Sequence, residues 1–456
     1  MLKFFNMTRN ILVLGAGKSA TALIKYLLDN AAANNWTLTL GDYDTALATQ
    51  KIDNHPAGKA VFFDVNDATL RSQLVSKADL VISILPADFH YLVALDCLQH
   101  HKHLITPSYV SPREQQLDAQ FKEKGLLMMC EMGLDPGIDH MSLMQTLHSL
   151  RNKGAKITAL RSFCGALIAP ESDDNPWHYK FTWAPMNVVL AGSGGTAQYL
   201  KNGKPKYIPY NRLFLVTETH LVENYGEFEA YANRDSLPYI PKYGVEDIPT
   251  FVRGTLRRGG FCNAWHALVK LGLTDNQLHI DPATKFTYRQ LIESFLPPTF
   301  IEEEEITIQE QLASFLEIDS DNDTIIKLQW LGLFANKVIP MSKPLTPAQI
   351  LLDLLEQKWQ LHPDDKDLIV MLHRFDYQLN GKPHVLTATM VVKGTDTHHT
   401  AIAATVGLPM GILAKMLLNN QVNLSGVQIP IMPQVYQPIL TELAQHGITF
   451  TETEAE

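Results

Sequence analysis

The run Ile11-Leu12-Val13-Leu14-Gly15-Ala16-Gly17-Lys18-Ser19-Ala20 decides the fold: four β-prone apolar residues feed straight into a glycine turn, and an apolar segment with helical spacing follows. This is the opening of a dinucleotide-binding βαβ unit. Gly15 permits the tight turn, and Gly17 lets the backbone approach a pyrophosphate. Ala20 is small enough for the helix to sit against the strand while its first N–H groups face the phosphates. The context strengthens the motif, because residues 37–40 form a second strand candidate ending at Gly41-Asp42, where a ribose-binding acid belongs.

Between Ile11 and about Met129, short β-rich runs at 11–14, 37–40, 60–63, 80–85, 103–106 and 126–129 alternate with helical segments. That alternation predicts a doubly wound parallel sheet of the Rossmann type. The fourth run, Leu80-Val81-Ile82-Ser83-Ile84-Leu85, is nearly continuous in apolar residues, as a central strand covered on both faces requires. Pro86 ends it at the carboxyl edge, where ligands bind in open α/β sheets. Beyond Gly133 the segments are longer and mixed, with strand candidates at 159–164 and 213–217, so a second α/β domain is expected. From about Asp247 to His362 the pattern is helical, broken at Pro297-Pro298, Glu302 to Glu305 and Asp319 to Asp323. Strands return at 368–375 and 385–392, and Thr400 to Leu418 is an apolar, Ala-rich helix candidate.

A chain of 456 residues is too long for one core, so two or three domains are expected. No stretch approaches the ~20 consecutive apolar residues of a membrane span, and the first ten residues are too short and polar for a secretory signal. The four cysteines show no CxxC pairing, which argues against zinc and against a disulfide framework. A cytoplasmic setting is the expectation. A net charge of −10 without a basic patch speaks against nucleic acid as a partner. The acidic cluster at Asp319 to Asp323 fails as a calcium loop, since Thr324 stands where the loop glycine belongs and Trp330 where the bidentate Glu belongs. The histidines have no metal-ligand spacing either, so no metal is expected.

Polar loops cluster after the strand candidates of the first half: Pro86 to His90, Thr106 to Pro112, and Glu131-Met132-Gly133-Leu134-Asp135-Pro136-Gly137-Ile138-Asp139-His140. Asp135-Pro136-Gly137 supplies turn chemistry, and Asp139 is placed to cap the next helix. Further on stand Cys164-Gly165-Ala166, Asn175-Pro176 with Tyr179-Lys180-Phe181, Asn233-Arg234-Asp235-Ser236, Arg253-Gly254-Thr255-Leu256-Arg257 and Ala404-Thr405-Val406-Gly407. Arg234, Arg253 and Arg257 stand near turn residues and have the planar fork that matches a carboxylate bidentately.

These separated segments resemble the saccharopine reductase family, the glutamate-forming saccharopine dehydrogenases, and the dehydrogenase half of the animal bifunctional lysine-degrading enzyme. The resemblance runs from about Asn10 to the C-terminus. It implies a Rossmann domain of residues 1–132 and 396–456, an α/β substrate-binding and dimerisation domain of residues 133–246 and 363–395, and an inserted helical domain of residues 247–362. It implies a homodimer whose substrate is saccharopine: hydride passes between a nicotinamide and the secondary amine, and water splits the imine into glutamate and 2-aminoadipate 6-semialdehyde. Gly15 and Gly17 are the cofactor-binding glycines of the motif, and by residue match Lys18, Ser19 and Ala20 line the pyrophosphate turn. Asp64 and Val65 lie near the adenine, Ile84 and Leu85 along the cofactor, and Leu134, Asp135 and Pro136 near the nicotinamide. Ser108, Tyr109, Arg234, Thr255 and Arg257 hold saccharopine. Asp135, Tyr109, Cys164 and His90 are the candidates for proton movement, with the substrate's own amine as a further shuttle.

One departure bears on the cofactor. Fungal members carry an arginine after the second strand, suited to a 2′-phosphate, whereas this chain has Gly41-Asp42-Tyr43. A carboxylate there accepts from a free ribose hydroxyl and repels a phosphate, so NAD is favoured over NADP, with Lys51 too far along to reverse the preference. Two other readings compete with saccharopine oxidation. A carboxynorspermidine-type dehydrogenase would need fewer carboxylate receptors than three arginines provide, and a non-catalytic nucleotide sensor would have no use for those arginines and Asp135.

Overall fold

The structure, a computed structural model, describes residues 8–298 and 306–455. The Glu302 to Glu305 interruption lies outside the described residues. Six strands alternate with helices in the first third: β1 (Arg9–Leu14), α1 (Thr21–Asp29), β2 (Trp36–Asp42), α2 (Thr45–Ile52), β3 (Gly58–Phe62), β4 (Leu80–Ser83), α3 (His90–His100), β5 (His103–Ile105), β6 (Leu127–Met129) and α4 (Ile138–Asn152). Then come β7 (Lys156–Ile168), β8 (Ala197–Lys201), β9 (Lys204–Ile208), β10 (Thr217–Val222), β11 (Gly226–Ala232), β12 (Thr250–Arg258), β13 (Asp367–Leu379), β14 (Lys382–Lys393), α5 (Ala401–Leu418), β15 (Gly426–Gln428) and β16 (Thr451–Ala455).

The first sheet has the order β15-β6-β5-β4-β1-β2-β3. Its pairs are parallel throughout. Successive connections leave β1 in opposite directions, to β2 on one side and to β4 on the other, so the crevice at their carboxyl ends is the topological switch point of a Rossmann sheet. All four residues 11–14 of β1 are fully buried, as are the residues of β4, which explains their unbroken apolar runs. The second sheet is mixed, with the order β10-β11-β12-β7-β13-β14-β16, and β8 pairs with both β12 and β9.

Two compact units result. One comprises the chain through Lys156 with Leu379–Gly381 and Met390–Glu452, the other Ile157–Gln378 with Lys382–Thr389 and the chain from Thr453. The nucleotide-type sheet therefore draws its edge strand β15 and helix α5 from the far end of the sequence. Helix α5 is long and apolar enough to cross a membrane by length and composition, yet 78% of it is buried inside the protein. It lies against α1 at two glycines: a Cβ on Gly407 would stand 2.6 Å from the Leu23 nitrogen, and one on Gly411 would stand 2.6 Å from the Tyr26 ring. Side chains at these positions would force the helices apart.

Three expectations from sequence are corrected. Residues 213–217 are not a strand, because 210–215 form a 3₁₀ turn and β10 begins only at Thr217. The stretch from Asp247 is not uniformly helical, because it opens with β12, whose nine residues are mostly buried. The arginines of Thr-Phe-Val-Arg-Gly-Thr-Leu-Arg-Arg interrupt its apolar run and conceal the strand. Asp139 does not cap α4 as its N-cap residue; that position is Gly137, and the Asp139 carboxylate turns back to accept the Gly137 N–H at 2.6 Å. Replacing Gly407 with Val should cost about 1–3 kcal/mol through overpacking, visible as a lower thermal midpoint by circular dichroism; an unchanged midpoint would show that α1 and α5 can separate freely.

Candidate active site

At the carboxyl ends of β1 and β4, Gly15 has φ +105°, and a Cβ there would stand 2.9 Å from the Ile84 carbonyl oxygen. Only glycine lets the two strand ends come this close. Gly17 is exposed, and a Cβ on it would meet nothing within 4 Å, so the space above the turn is open. Lys18, Ser19 and Ala20 form a 3₁₀ turn that continues directly into α1, and no side chain caps it. Its leading N–H groups are an anion site of the kind a pyrophosphate fills. The residues present thus fit a dinucleotide, with Ile84 and Leu85 half-buried beside the turn.

Asp42 ends β2, and both of its oxygens already accept backbone N–H groups, Oδ2 from Ala16 at 2.6 Å and Oδ1 from Asp44 at 2.8 Å. The carboxylate thereby ties the glycine turn to the second strand. Lys51, at the far end of α2, reaches back over that turn. Its Nζ donates to the Gly17 carbonyl at 2.6 Å and to Thr21 Oγ1 at 2.8 Å. Burial lowers its pKa to about 8, with Asp42 opposing the shift. After β3, Asp64 accepts from the Asn66 N–H, and Val65 is buried.

The loop after β6 is folded tightly on itself. Gly133 N–H donates to the Pro136 carbonyl at 3.0 Å and Ile138 N–H to the Gly133 carbonyl at 2.9 Å. Gly137 has φ +147°, and a Cβ there would overlap Gly133. Leu134 and Pro136 are buried, whereas Asp135 is half-exposed and accepts from the Tyr109 hydroxyl at 3.2 Å. The loop rests on a buried network whose members sequence reading quoted but did not connect. His140 Nε2 lies 2.7 Å from Glu131 Oε2, and Asp139 lies 3.4 Å from His140 Nδ1. The other Glu131 oxygen accepts the Val110 N–H at 3.3 Å, linking the loops after β5 and β6. The nine-residue spacing of two buried ionisable groups, Glu131 and His140, was the signal available.

A second chain of contacts runs beneath the β5 loop. Ser83 Oγ, at the end of β4, is 2.9 Å from His90 Nδ1, and His90 Nε2 is 2.9 Å from Ser108 Oγ. His90 is buried, which lowers its pKa to about 4 and keeps the imidazole neutral.

The other unit holds Cys164, Arg234, Thr255 and Arg257. Thr255 of β12 is in register with Cys164 of β7 on one side and Tyr231 of β11 on the other. Arg257 is 5% exposed and surrounded by the rings of Tyr179, Tyr231 and Phe261, with its Cζ 5.2–5.9 Å from their centroids. One nitrogen donates to the Leu256 carbonyl, and Nε has no partner among the described residues. Arg253 lies over the Tyr239 ring at 4.2 Å. Arg234 is exposed, with a left-handed backbone (φ +50°) just past β11. The structure thus places Ser108, Tyr109 and Asp135 together in the first unit and Cys164, Thr255 and Arg257 on adjoining strands of the second.

A parallel sheet with its glycine turn at the switch point is the architecture of a dinucleotide-binding unit, and the second unit carries a buried guanidinium. Two family profiles cover the chain: one described as the saccharopine dehydrogenase NADP binding domain matches residues 11–129, and one described as the saccharopine dehydrogenase C-terminal domain matches residues 133–448. The chain belongs to the saccharopine dehydrogenase family. It is 31% identical to the NADP(+), L-glutamate-forming saccharopine dehydrogenase of Schizosaccharomyces pombe, over 97% of this chain and 98% of that one. It is also 33% identical to the mitochondrial alpha-aminoadipic semialdehyde synthase of Mus musculus, over 98% of this chain, which spans 48% of that longer protein. The fold superposes on apo saccharopine dehydrogenase (L-Glu forming) from Saccharomyces cerevisiae with a TM-score of 0.85 at 28% identity, covering 98% of this chain and all of the other.

These matches overturn the preference for NAD. The matched nucleotide domain is described as NADP-binding, and the fungal relatives are named for NADP(+). The preference rested on a carboxylate free to meet a ribose and on a lysine too distant to matter. In the structure each Asp42 oxygen accepts one backbone N–H, from Ala16 of the glycine turn and from Asp44, and α2 brings the Lys51 ammonium onto that turn. Gly15→Ala should weaken nucleotide binding at least about tenfold, because a non-glycine residue at that φ and separation carries roughly 1–3 kcal/mol of strain. Titration of the intrinsic fluorescence reads this directly, and undiminished affinity would mean that the turn does not hold the nucleotide.

Proposed function

We propose that the protein interconverts saccharopine with L-glutamate and 2-aminoadipate 6-semialdehyde, using NADP. The observation that carries this reading is Arg257: a guanidinium buried among three rings, with an unfilled Nε and no carboxylate partner among the described residues. A buried cation of this kind is stabilised when a carboxylate enters, and saccharopine carries three. Family membership over nearly the whole chain supports the same substrate. The fungal relatives' names speak for saccharopine rather than a polyamine.

In this reading Gly15, Gly17, Lys18, Ser19 and Ala20 hold the pyrophosphate. Asp64 and Val65 flank the adenine, Ile84 and Leu85 lie along the dinucleotide, and Leu134, Asp135 and Pro136 border the nicotinamide. The bound nucleotide supplies the hydride acceptor. Ser108, Tyr109, Arg234, Thr255 and Arg257 orient the substrate, which is most of what hydride transfer asks of a protein. Tyr109 and Asp135, already hydrogen-bonded, are suited to exchange a proton with the amine or with the attacking water, and Cys164 borders Thr255. Lys51 supplies positive charge toward the 2′-phosphate. A homodimer and a cytoplasmic setting complete the proposal: the edge strand β10 carries the exposed Leu221, and the four cysteines are buried free thiols.

Purified protein given saccharopine and NADP should generate the absorbance of reduced nicotinamide and yield glutamate; no turnover in either direction would reject the reading. Arg234→Ala should raise the apparent KM for saccharopine far more than that for nucleotide, and equal effects on both would reject a carboxylate-holding role. Lys51→Ala should weaken NADP binding about tenfold or more while leaving NAD nearly unaffected, the loss expected for one charge-assisted hydrogen bond. Because the ammonium loses its proton as pH rises through about 8, the affinity of the unmodified protein for NADP should fall above that pH while its affinity for NAD holds. Calorimetric titration at several pH values checks both.

A further inference from the structure

The Ser83–His90–Ser108 chain has a direction that the hydrogen count determines. A neutral imidazole carries one N–H and one lone pair, so it donates to one serine and accepts from the other. Ser83 is fully buried on β4, and His90 Nδ1 is the one partner of its hydroxyl among the described residues. Were Nδ1 to carry the ring proton, the Ser83 O–H would be buried with no acceptor, an arrangement that proteins avoid. The satisfied arrangement has Ser83 donating to Nδ1. The ring proton then sits on Nε2 and is donated to Ser108 Oγ at 2.9 Å. Ser108 is half-buried just beyond β5, at the carboxyl edge of the sheet, and its own O–H has no other partner among the described residues.

We propose that His90 is a positioning residue held as the Nε2–H tautomer by Ser83, and that it thereby presents the Ser108 hydroxyl to the site as a donor that selects a carboxylate oxygen of the substrate. The opposite tautomer would take the Ser108 proton and leave only lone pairs facing the site, which suits an ammonium group. The polarity of this substrate contact is thus set one hydrogen bond further back, by the fully buried Ser83. The inference rests on the saccharopine reading for the identity of the carboxylate. The tautomer itself does not depend on that reading.

Long-range proton–nitrogen NMR of protein labelled with ¹⁵N-histidine, with the His90 signals assigned by their loss in His90→Gln, reads the tautomer with no substrate present. The expected result is a neutral ring protonated at Nε2 and unchanged through the neutral pH range. A ring protonated at Nδ1, or at both nitrogens near neutrality, overturns the proposal. In turnover, His90→Leu should raise the KM for saccharopine roughly tenfold or more, the loss expected for a misdirected bond to a charged group. The dissociation constant for NADP should stay within about twofold, and His90→Gln, whose amide can still donate toward Ser108, should recover most of the KM. If KM is unmoved in the leucine variant, or if NADP affinity and thermal stability fall in parallel with it in both variants, His90 does not orient Ser108. Should the leucine variant not fold, the tautomer in the unmodified protein decides the matter. Absence of turnover in the unmodified protein would count against the saccharopine reading, and the NMR result would still stand for or against the tautomer.

Discussion

The approach of the Gly15 turn to the Ile84 carbonyl is the constraint around which the first unit is arranged. Two parallel strands end side by side, and the chain leaving one must turn within the space that the end of the other allows. No side chain fits between them. Because the turn stays that close, the short helical turn at Lys18 and the helix α1 begin directly above the sheet edge. A helix start leaves N–H groups without intrahelical partners, which suits an anion at the sheet edge. The second strand contributes through Asp42, which fastens the turn by accepting the Ala16 N–H. The glycine turn is therefore held by backbone and by a carboxylate that faces inward.

Around this floor the first unit spends buried polar groups on loop shape. Glu131, His140 and Asp139 are withdrawn from water and hydrogen-bonded, and they fix the loop from Gly133 to Gly137 against the loop carrying Ser108 and Tyr109. Such a network stabilises little compared with an apolar core of equal volume. Its effect is to leave the loop few alternative conformations. The second unit follows another course: its buried Arg257 lies within a strand, among aromatic rings, where position is set by sheet register and ring packing.

The first sheet was legible in the sequence because parallel, doubly covered strands need unbroken apolar runs, and 11–14 and 80–85 supply them. The second sheet was harder to read. In β12 the alternation is broken by Arg253 and Arg257, both buried, so a strand passes for polar punctuation. Glycine spacing and motif placement were enough to locate the glycine turn between β1 and α1 and the polar loops at the strand ends. The partnership of Asp42 with Ala16, the return of Lys51 over Gly17, and the serine–histidine–serine chain depend on contacts between residues far apart in sequence, which no local pattern encodes. The cofactor preference went astray at that point, because the residue type at position 42 was legible but its hydrogen-bond partners were not.

The packing of α5 against α1 has a consequence for biosynthesis. The N-terminal strands and α1 leave the ribosome long before Gly407 and Gly411 are made, so the face of α1 at Leu23 and Tyr26 waits uncovered while the intervening unit is synthesised. The edge of β6 that later receives β15 waits with it. Early-exposed apolar surface of this kind is what chaperones recognise. The nucleotide unit, although first in the sequence, is among the last parts of the molecule to close.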